Sequence, residues 1–156
     1  MKRAVAVGLV SLQFLLLATL VFLPRGSLWP VGGGLLAASI AVGVSGVVIA
    51  VMGASGLGQA LTASPIPREH ATLVTSGVYG VVRNPIYTGL MTAGLGLVMF
   101  GASVWHILAW LALVLLLSVK TRWEERMLVT QHADYREYGA RVGRFVPGLG
   151  RMSPPG

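Results

Sequence analysis

The chain has 156 residues, of which 54% are apolar and only 11% charged, with a mean hydropathy of +0.75 and a formal net charge of +7. A soluble domain usually carries about 25% charged residues, so this composition excludes an ordinary soluble protein. There is no cysteine, which excludes disulfides, thiolate nucleophiles and Cys-ligated metals.

Met1-Lys2-Arg3 is followed by an uncharged apolar run, Ala4–Leu23. The run is too long for a secretory h-region, and Val21-Phe22-Leu23-Pro24-Arg25 offers no small-residue cleavage site, so it reads as an uncleaved anchor. Three more uncharged runs follow: Val31–Met52, Ile86–Phe100 and Ala102–Val119. Crossing the hydrocarbon core takes ~20 apolar residues in a helix. The first two runs reach that length and the last two fall slightly short. Open strands leave backbone groups unsatisfied in lipid, so all four runs are expected to be helices. The predicted fold class is an all-α integral membrane protein. It has four transmembrane helices in two hairpins, a long cytoplasmic loop and a C-terminal amphipathic helix.

Runs one and two are joined through Pro24-Arg25-Gly26-Ser27-Leu28-Trp29-Pro30, where Trp29 suits an interface. Run two carries Gly43, Ser45, Gly46 and Ala50, small residues that let helices approach closely. Residues 53–84 form the one long stretch without helical character, and Ser64-Pro65-Ile66-Pro67 cannot be helical throughout. Leu73-Val74-Thr75 is extended in character and Ser76-Gly77 marks a turn. Runs three and four turn at Gly101, with His106 nearby as a packing residue rather than a ligand. The last helix is expected to continue from Lys120 to Gln131. Residues 133–145 read as a short amphipathic helix carrying Tyr135, Tyr138 and Phe145. Pro147 to Gly156 reads as a disordered tail. The implied division is a hairpin over 1–52, a core over 53–147 and a tail over 148–156.

Of the 12 Lys and Arg residues, only Arg25 lies between runs one and two. Four spans with both termini cytoplasmic place the other eleven inside, the orientation that positive charge favours. A bacterial inner membrane fits this pattern. The positive charge is spread over three membrane-flanking segments, which suits the inner leaflet better than nucleic acid.

Two polar clusters fall on the same predicted surface. Asn84-Pro85 starts a helix, with Asn as the N-cap and Pro at the first position. The N–H groups beyond it favour an anion, and Arg83 adds a fixed charge. Taken alone, a cap and a snorkelling Arg account for this cluster. The second cluster is Arg122-Trp123-Glu124-Glu125-Arg126, where Glu125 has helical spacing to pair with Arg122 or Arg126. A salt-bridged helix extension accounts for that cluster alone. Together the two offer an anion site and a cation site, which suits a zwitterionic amino-acid group. Tyr79, Tyr87, Trp123, Tyr135 and Tyr138 supply aromatic faces for a further cationic centre.

The ordered set Leu73-Val74-Thr75-Ser76-Gly77-Val78-Tyr79, Arg83-Asn84-Pro85-Ile86-Tyr87-Thr88-Gly89, Glu124-Glu125, Tyr135-Arg136-Glu137-Tyr138 and Arg144-Phe145-Val146-Pro147 resembles the isoprenylcysteine carboxyl methyltransferase family. That family is related to the integral-membrane phospholipid methyltransferases, and the resemblance covers roughly residues 55–147. It implies an S-adenosylmethionine-dependent methyltransferase whose cofactor sits at the cytoplasmic face. It implies that Thr72, Leu73, Val74 and Tyr79 line the cofactor. Asn84, Pro85, Ile86 and Tyr87 would hold its methionine end, with Arg83 beside them. One or both of Glu124 and Glu125 would take the amino group, and either acid is the candidate base for a neutral acceptor. Lys120 or Arg122 would meet a lipid or lipophilic substrate that carries a carboxylate, amine or thiol. The family usually has His where this chain has Asn84, which binds but cannot titrate near neutral pH. Its His ahead of Leu-Val falls at Ala71, one residue after His70. A small four-helix transporter or a structural membrane subunit is the alternative. A transporter needs an ionisable residue inside the membrane, and all five acids (Glu69, Glu124, Glu125, Asp134, Glu137) lie outside the runs.

Overall fold

The computed structural model describes residues 2–58 and 72–154. Five α-helices account for most of them: α1 Lys2–Phe22, α2 Gly33–Leu57, α3 Pro85–Gly101, α4 Val104–Gln131 and α5 Tyr135–Arg141. A 3-10 turn covers Gly77–Gly80. Among the described residues there is no strand, only an isolated parallel bridge between Val82 and Gly143. α1, α2 and α4 are long and apolar enough to cross a membrane. α3, at 17 residues, is shorter. Its length of roughly 25 Å falls a little below the hydrocarbon thickness.

The expected first hairpin does not form as a packed pair. α2 packs against α3, whereas α1 packs against α4 and, to a lesser extent, α3. Side-chain size explains the exchange of partners. A Cβ on Gly46 would lie 2.6 Å from the Gly89 carbonyl oxygen, and one on Gly96 would lie 2.7 Å from the Gly43 nitrogen. Two backbones this close require glycine on both helices, and only α2 and α3 share such a face. Ser45, expected on that face, is exposed. α1 instead brings leucines: Leu20 packs with Val98, Leu113 and Leu117 in the buried core. This makes α1 antiparallel to α4, with Leu20 in the cluster of Leu113 and Leu117 and Gln13 at Lys120.

The far end of the bundle is tied by its loop. The N–H groups of Gly26 and Leu28 donate to the carbonyls of Gly101 and Ala102, and the Trp29 indole donates to the Met99 carbonyl. The turn falls one residue later than the sequence suggests. Gly101 is still helical, and Ala102 takes the left-handed cap at φ 45°. Gly101 has another use, since the His106 ring lies where its Cβ would be. His106 is buried, and its Nδ1 has no hydrogen-bond partner among the described residues.

At the other end, the stretch expected to be non-helical from residue 53 is shorter. α2 runs through Leu57 before Gly58 turns the chain at φ 49°. Ser64-Pro65-Ile66-Pro67, His70 and Ala71 lie outside the described residues. The C-terminal helix spans Tyr135–Arg141 rather than 133–145. The tail expected to be disordered is held in place through Met152. The Arg144 N–H donates to Leu149, the Met152 N–H donates to Gly139, and the Met152 side chain packs on Tyr135 and Tyr138.

Candidate functional site

A cavity of about 410 Å³ opens at the end of the bundle where α3 starts. Every described element except the loop between α1 and α2 contributes to it or fixes a residue that does. Thr72, Leu73 and Val74 form one wall, followed by Tyr79 from the 3-10 turn. Asn84, Ile86, Tyr87 and Leu90 come from the head of α3, and Lys120, Glu124 and Leu128 come from α4. His132, Tyr135 and Tyr138 close the C-terminal side, and Gln13, Phe14 and Leu17 of α1 face them with Leu57 of α2.

Most residues singled out in the sequence converge here, but several take other roles. Arg83 is among the residues that line the cavity, but each of its guanidinium nitrogens is bonded elsewhere. Its Nε donates to Glu125 Oε1 at 3.0 Å, Nη1 donates to the carbonyls of Gly139 and Val142, and Nη2 donates to the Gly150 carbonyl. It is 4% exposed and works as a brace between α4, α5 and the tail. Glu125 is equally committed. Its Oε2 accepts from Arg144 Nε at 3.0 Å and lies 2.9 Å from Arg144 Nη2. The expected pairs with Arg122 and Arg126 do not occur, and both arginines are exposed. Both carboxylate oxygens of Glu125 are thus held by guanidinium groups, and neither Glu125 nor Arg122 lines the cavity.

Asn84 occupies the N-cap position of α3 without capping it through its side chain. Its φ of −127° and ψ of 60° turn the side chain away. The amide instead reaches Glu125 Oε1 and the Arg144 carbonyl, each at 3.4 Å. Its own carbonyl accepts from the Thr88 N–H and hydroxyl. Pro85 is at the first helical position, as expected, and is fully buried against α2.

Glu124 is the acid that faces the cavity. The Tyr87 hydroxyl donates to its Oε2 at 3.1 Å. One turn earlier, Lys120 is 2% exposed, with Nζ 2.8 Å from Gln13 Oε1 and 5.0 Å from the centre of the Tyr87 ring. The cavity thus holds one carboxylate and one ammonium among aromatic and aliphatic walls.

The phenols on the C-terminal side are donors at any physiological pH. Burial raises the Tyr79 hydroxyl far above its ordinary value, and the charges of Glu124 and Tyr138 add to this. Burial likewise holds Tyr135 well above the usual range, reinforced by Glu125 and opposed by Arg83. Tyr138 is raised to about 12, chiefly by burial. The protons are used internally: Tyr138 donates to the Tyr79 carbonyl at 2.6 Å, and Tyr79 donates to the Gly53 carbonyl at 3.1 Å. This chain of bonds ties α5 through the 3-10 turn to the end of α2. Trp123, grouped with these aromatics by sequence, is not part of the wall.

The part of the wall that sequence reasoning missed is α1. Gln13 is the sole carboxamide in an otherwise apolar run. A polar amide in a membrane helix needs a partner, and that was the available signal.

The fold and the cavity define an integral-membrane protein with an amphipathic pocket at one end of its helical bundle. The phospholipid methyltransferase family model matches residues 35–134, and the chain belongs to that family. That membership agrees with the resemblance that its motifs carry. It is also similar to the cobalt-zinc-cadmium resistance protein CzcN of Cupriavidus metallidurans, with 37% identity over 84 residues. The matched segment is 53% of this chain and 38% of CzcN, so the chain spans well under half of that relative. No solved structure matches the chain.

Proposed function

We propose that the protein transfers a methyl group from S-adenosylmethionine to a lipophilic small molecule or lipid at the cytoplasmic face of a bacterial inner membrane. In this topology α1 to α4 are four spans with both termini cytoplasmic, in keeping with the eleven-to-one distribution of basic residues. The observation that carries the proposal is the convergence of Leu73, Val74, Tyr79, Asn84, Tyr87 and Glu124, from four separate segments, on one cavity.

The cavity fits the cofactor. Its volume lies within the ~300–1,000 Å³ typical of small-molecule sites. The Glu124 carboxylate suits an ammonium group, and the start of α3 at Asn84–Tyr87 suits a carboxylate. Tyr79, Tyr135 and Tyr138 offer aromatic surface to a planar base or a cationic sulfur. When bound, S-adenosylmethionine supplies an electrophilic methyl group on a sulfonium. The chain's residues have the task of binding, orienting and excluding water. Arg83, Glu125 and Arg144 hold the C-terminal wall in register with α3 and α4. Leu73, Leu90 and Leu128 keep the cavity apolar, which favours a reaction that neutralises charge.

The test is binding of S-adenosylmethionine to the purified protein in nanodiscs, followed by radiolabelled methyl transfer to a lipid extract. Saturable micromolar binding and a labelled lipophilic product are expected. A protein that binds neither S-adenosylmethionine nor its demethylated product has another function.

A further inference from the structure

We infer that Gln13 of α1, together with Lys120, forms a subsite for the anionic oxygens of a lipid-borne acceptor, and that Gln13 sets the charge preference of the acceptor. This deepens the proposed methyl transfer and rests on it for the meaning of "acceptor".

The geometry begins with hydrogen-bond direction. An ammonium donates and never accepts, so the Gln13 atom at 2.8 Å from Lys120 Nζ is the amide oxygen. The amide nitrogen must then point the other way. Gln13 is 8% exposed, and its nitrogen has no hydrogen-bond partner among the described residues. The side chain lines the cavity beside Phe14 and Leu17. The amide nitrogen is not one of the fully buried unpartnered atoms, so it is accessible to a hydrogen-bond acceptor in this part of the cavity.

The chemistry of that partner follows from the donor set. The carboxamide N–H groups and the ammonium of Lys120 only donate. Phe14, Leu17 and Leu90 beside them are apolar and suit a hydrocarbon chain. The combination fits an alkyl or acyl chain that ends in a carboxylate or phosphate. A chain that ends in an ammonium would meet a like charge at this point, and the acceptor the cavity holds, Glu124, lies one turn further along α4. α1 precedes residues 35–134, the part matched by the family. Gln13 thus lies outside the matched segment, whereas Lys120 lies within it.

The experiment measures binding without cofactor, so it does not depend on turnover. The protein in nanodiscs is titrated with doxyl-labelled stearate, the matching stearylamine and stearyl alcohol. Stearate is expected to bind about tenfold more tightly than the amine or alcohol, the scale of one lost polar contact. In Gln13→Glu, which places a carboxylate at the subsite, that preference should vanish or invert. Gln13→Leu, which removes the amide without adding charge, should weaken stearate about tenfold and leave the alcohol unchanged. It carries the test should Gln13→Glu fail to insert. Competition with unlabelled stearate and with a monoacyl phosphate separates the two sources of oxyanion. Equal binding of amine and carboxylate, or an unchanged preference in either variant, overturns the inference. S-adenosylmethionine binding in the same samples of wild-type protein is the separate readout of the proposed function.

Discussion

Arg83 and Glu125 meet Nε to Oε1 at 3.0 Å inside the protein, with side chains 0% and 4% exposed. They lie 42 residues apart in sequence, and neither pairs with a charge near it in the chain. Their contact fixes the start of α3 to α4. Through the remaining Arg83 nitrogens it also fixes α5 and the tail.

Glu125→Ala should therefore act on stability. Removing one partner of a buried pair leaves charge uncompensated, at a cost of about 3–5 kcal/mol. Two arginines lose their partner here. A thermal unfolding midpoint equal to wild type would show that the cluster contributes nothing.

Glu124→Gln should act on binding. The residue faces the cavity and accepts a single hydrogen bond from Tyr87. Loss of a charge-assisted contact to the cofactor amine costs about 1.5–3 kcal/mol, or roughly ten- to a hundredfold in affinity. Calorimetric titration with S-adenosylmethionine measures this, and the unfolding midpoint should move little. Normal affinity in the variant would reassign the amine site.

Gly46→Ala should force α2 away from α3, because its Cβ would sit 2.6 Å from the Gly89 oxygen. Overpacking of this kind costs about 1–3 kcal/mol. Gly34→Ala, with nothing within 4 Å, is the control. It should be neutral or gain up to ~1 kcal/mol from helix propensity. Equal midpoints for the two variants would contradict the close approach of the helices.

Truncation after Val146 should weaken the cofactor site from outside it. It removes the Gly150 carbonyl that accepts from Arg83 and the Met152 that packs on Tyr135 and Tyr138. Hydrogen exchange should rise across α5, and S-adenosylmethionine affinity should fall. An unchanged exchange pattern would mean that the tail is a passenger.

Alkaline pH should unlock the same region. Burial raises Tyr138 from 10.0 to about 12, with Arg83 opposing and Glu125 reinforcing. A raised folded-state pKa means that the stability due to this group is fully present below pH 10.0. It is lost as pH climbs through about 12. Phenolate absorbance and thermal midpoint should change together over that window, and Tyr138→Phe should shrink the coupling. A midpoint that falls below pH 9, with Tyr138 still protonated, would assign the effect to other groups.

The sequence by itself determined the apolar helices, their approximate ends and the polar segments that bear on chemistry, because hydropathy and helix-start residues act locally. It placed Pro85 at the first turn of α3 and carried α4 to Gln131. It also brought Tyr79, Asn84, Tyr87 and the Glu pair into one candidate site. It did not show which acid was available, because adjacent residues on a helix point in different directions. What each one meets is decided by other segments. Glu125 turned to Arg83 and Arg144, 42 and 19 residues away. Helix partners were likewise a tertiary outcome. Runs one and two are joined by a short loop, yet glycine faces that permit backbone contact exist on α2 and α3. The leucines of α1 therefore packed on α4 and carried Gln13 to Lys120. Hydrogen bonds from Arg83 to the Gly150 carbonyl and from the Met152 N–H to the Gly139 carbonyl made the tail a wall support. Its composition alone, rich in Pro and Gly, lacks the apolar surface to order itself.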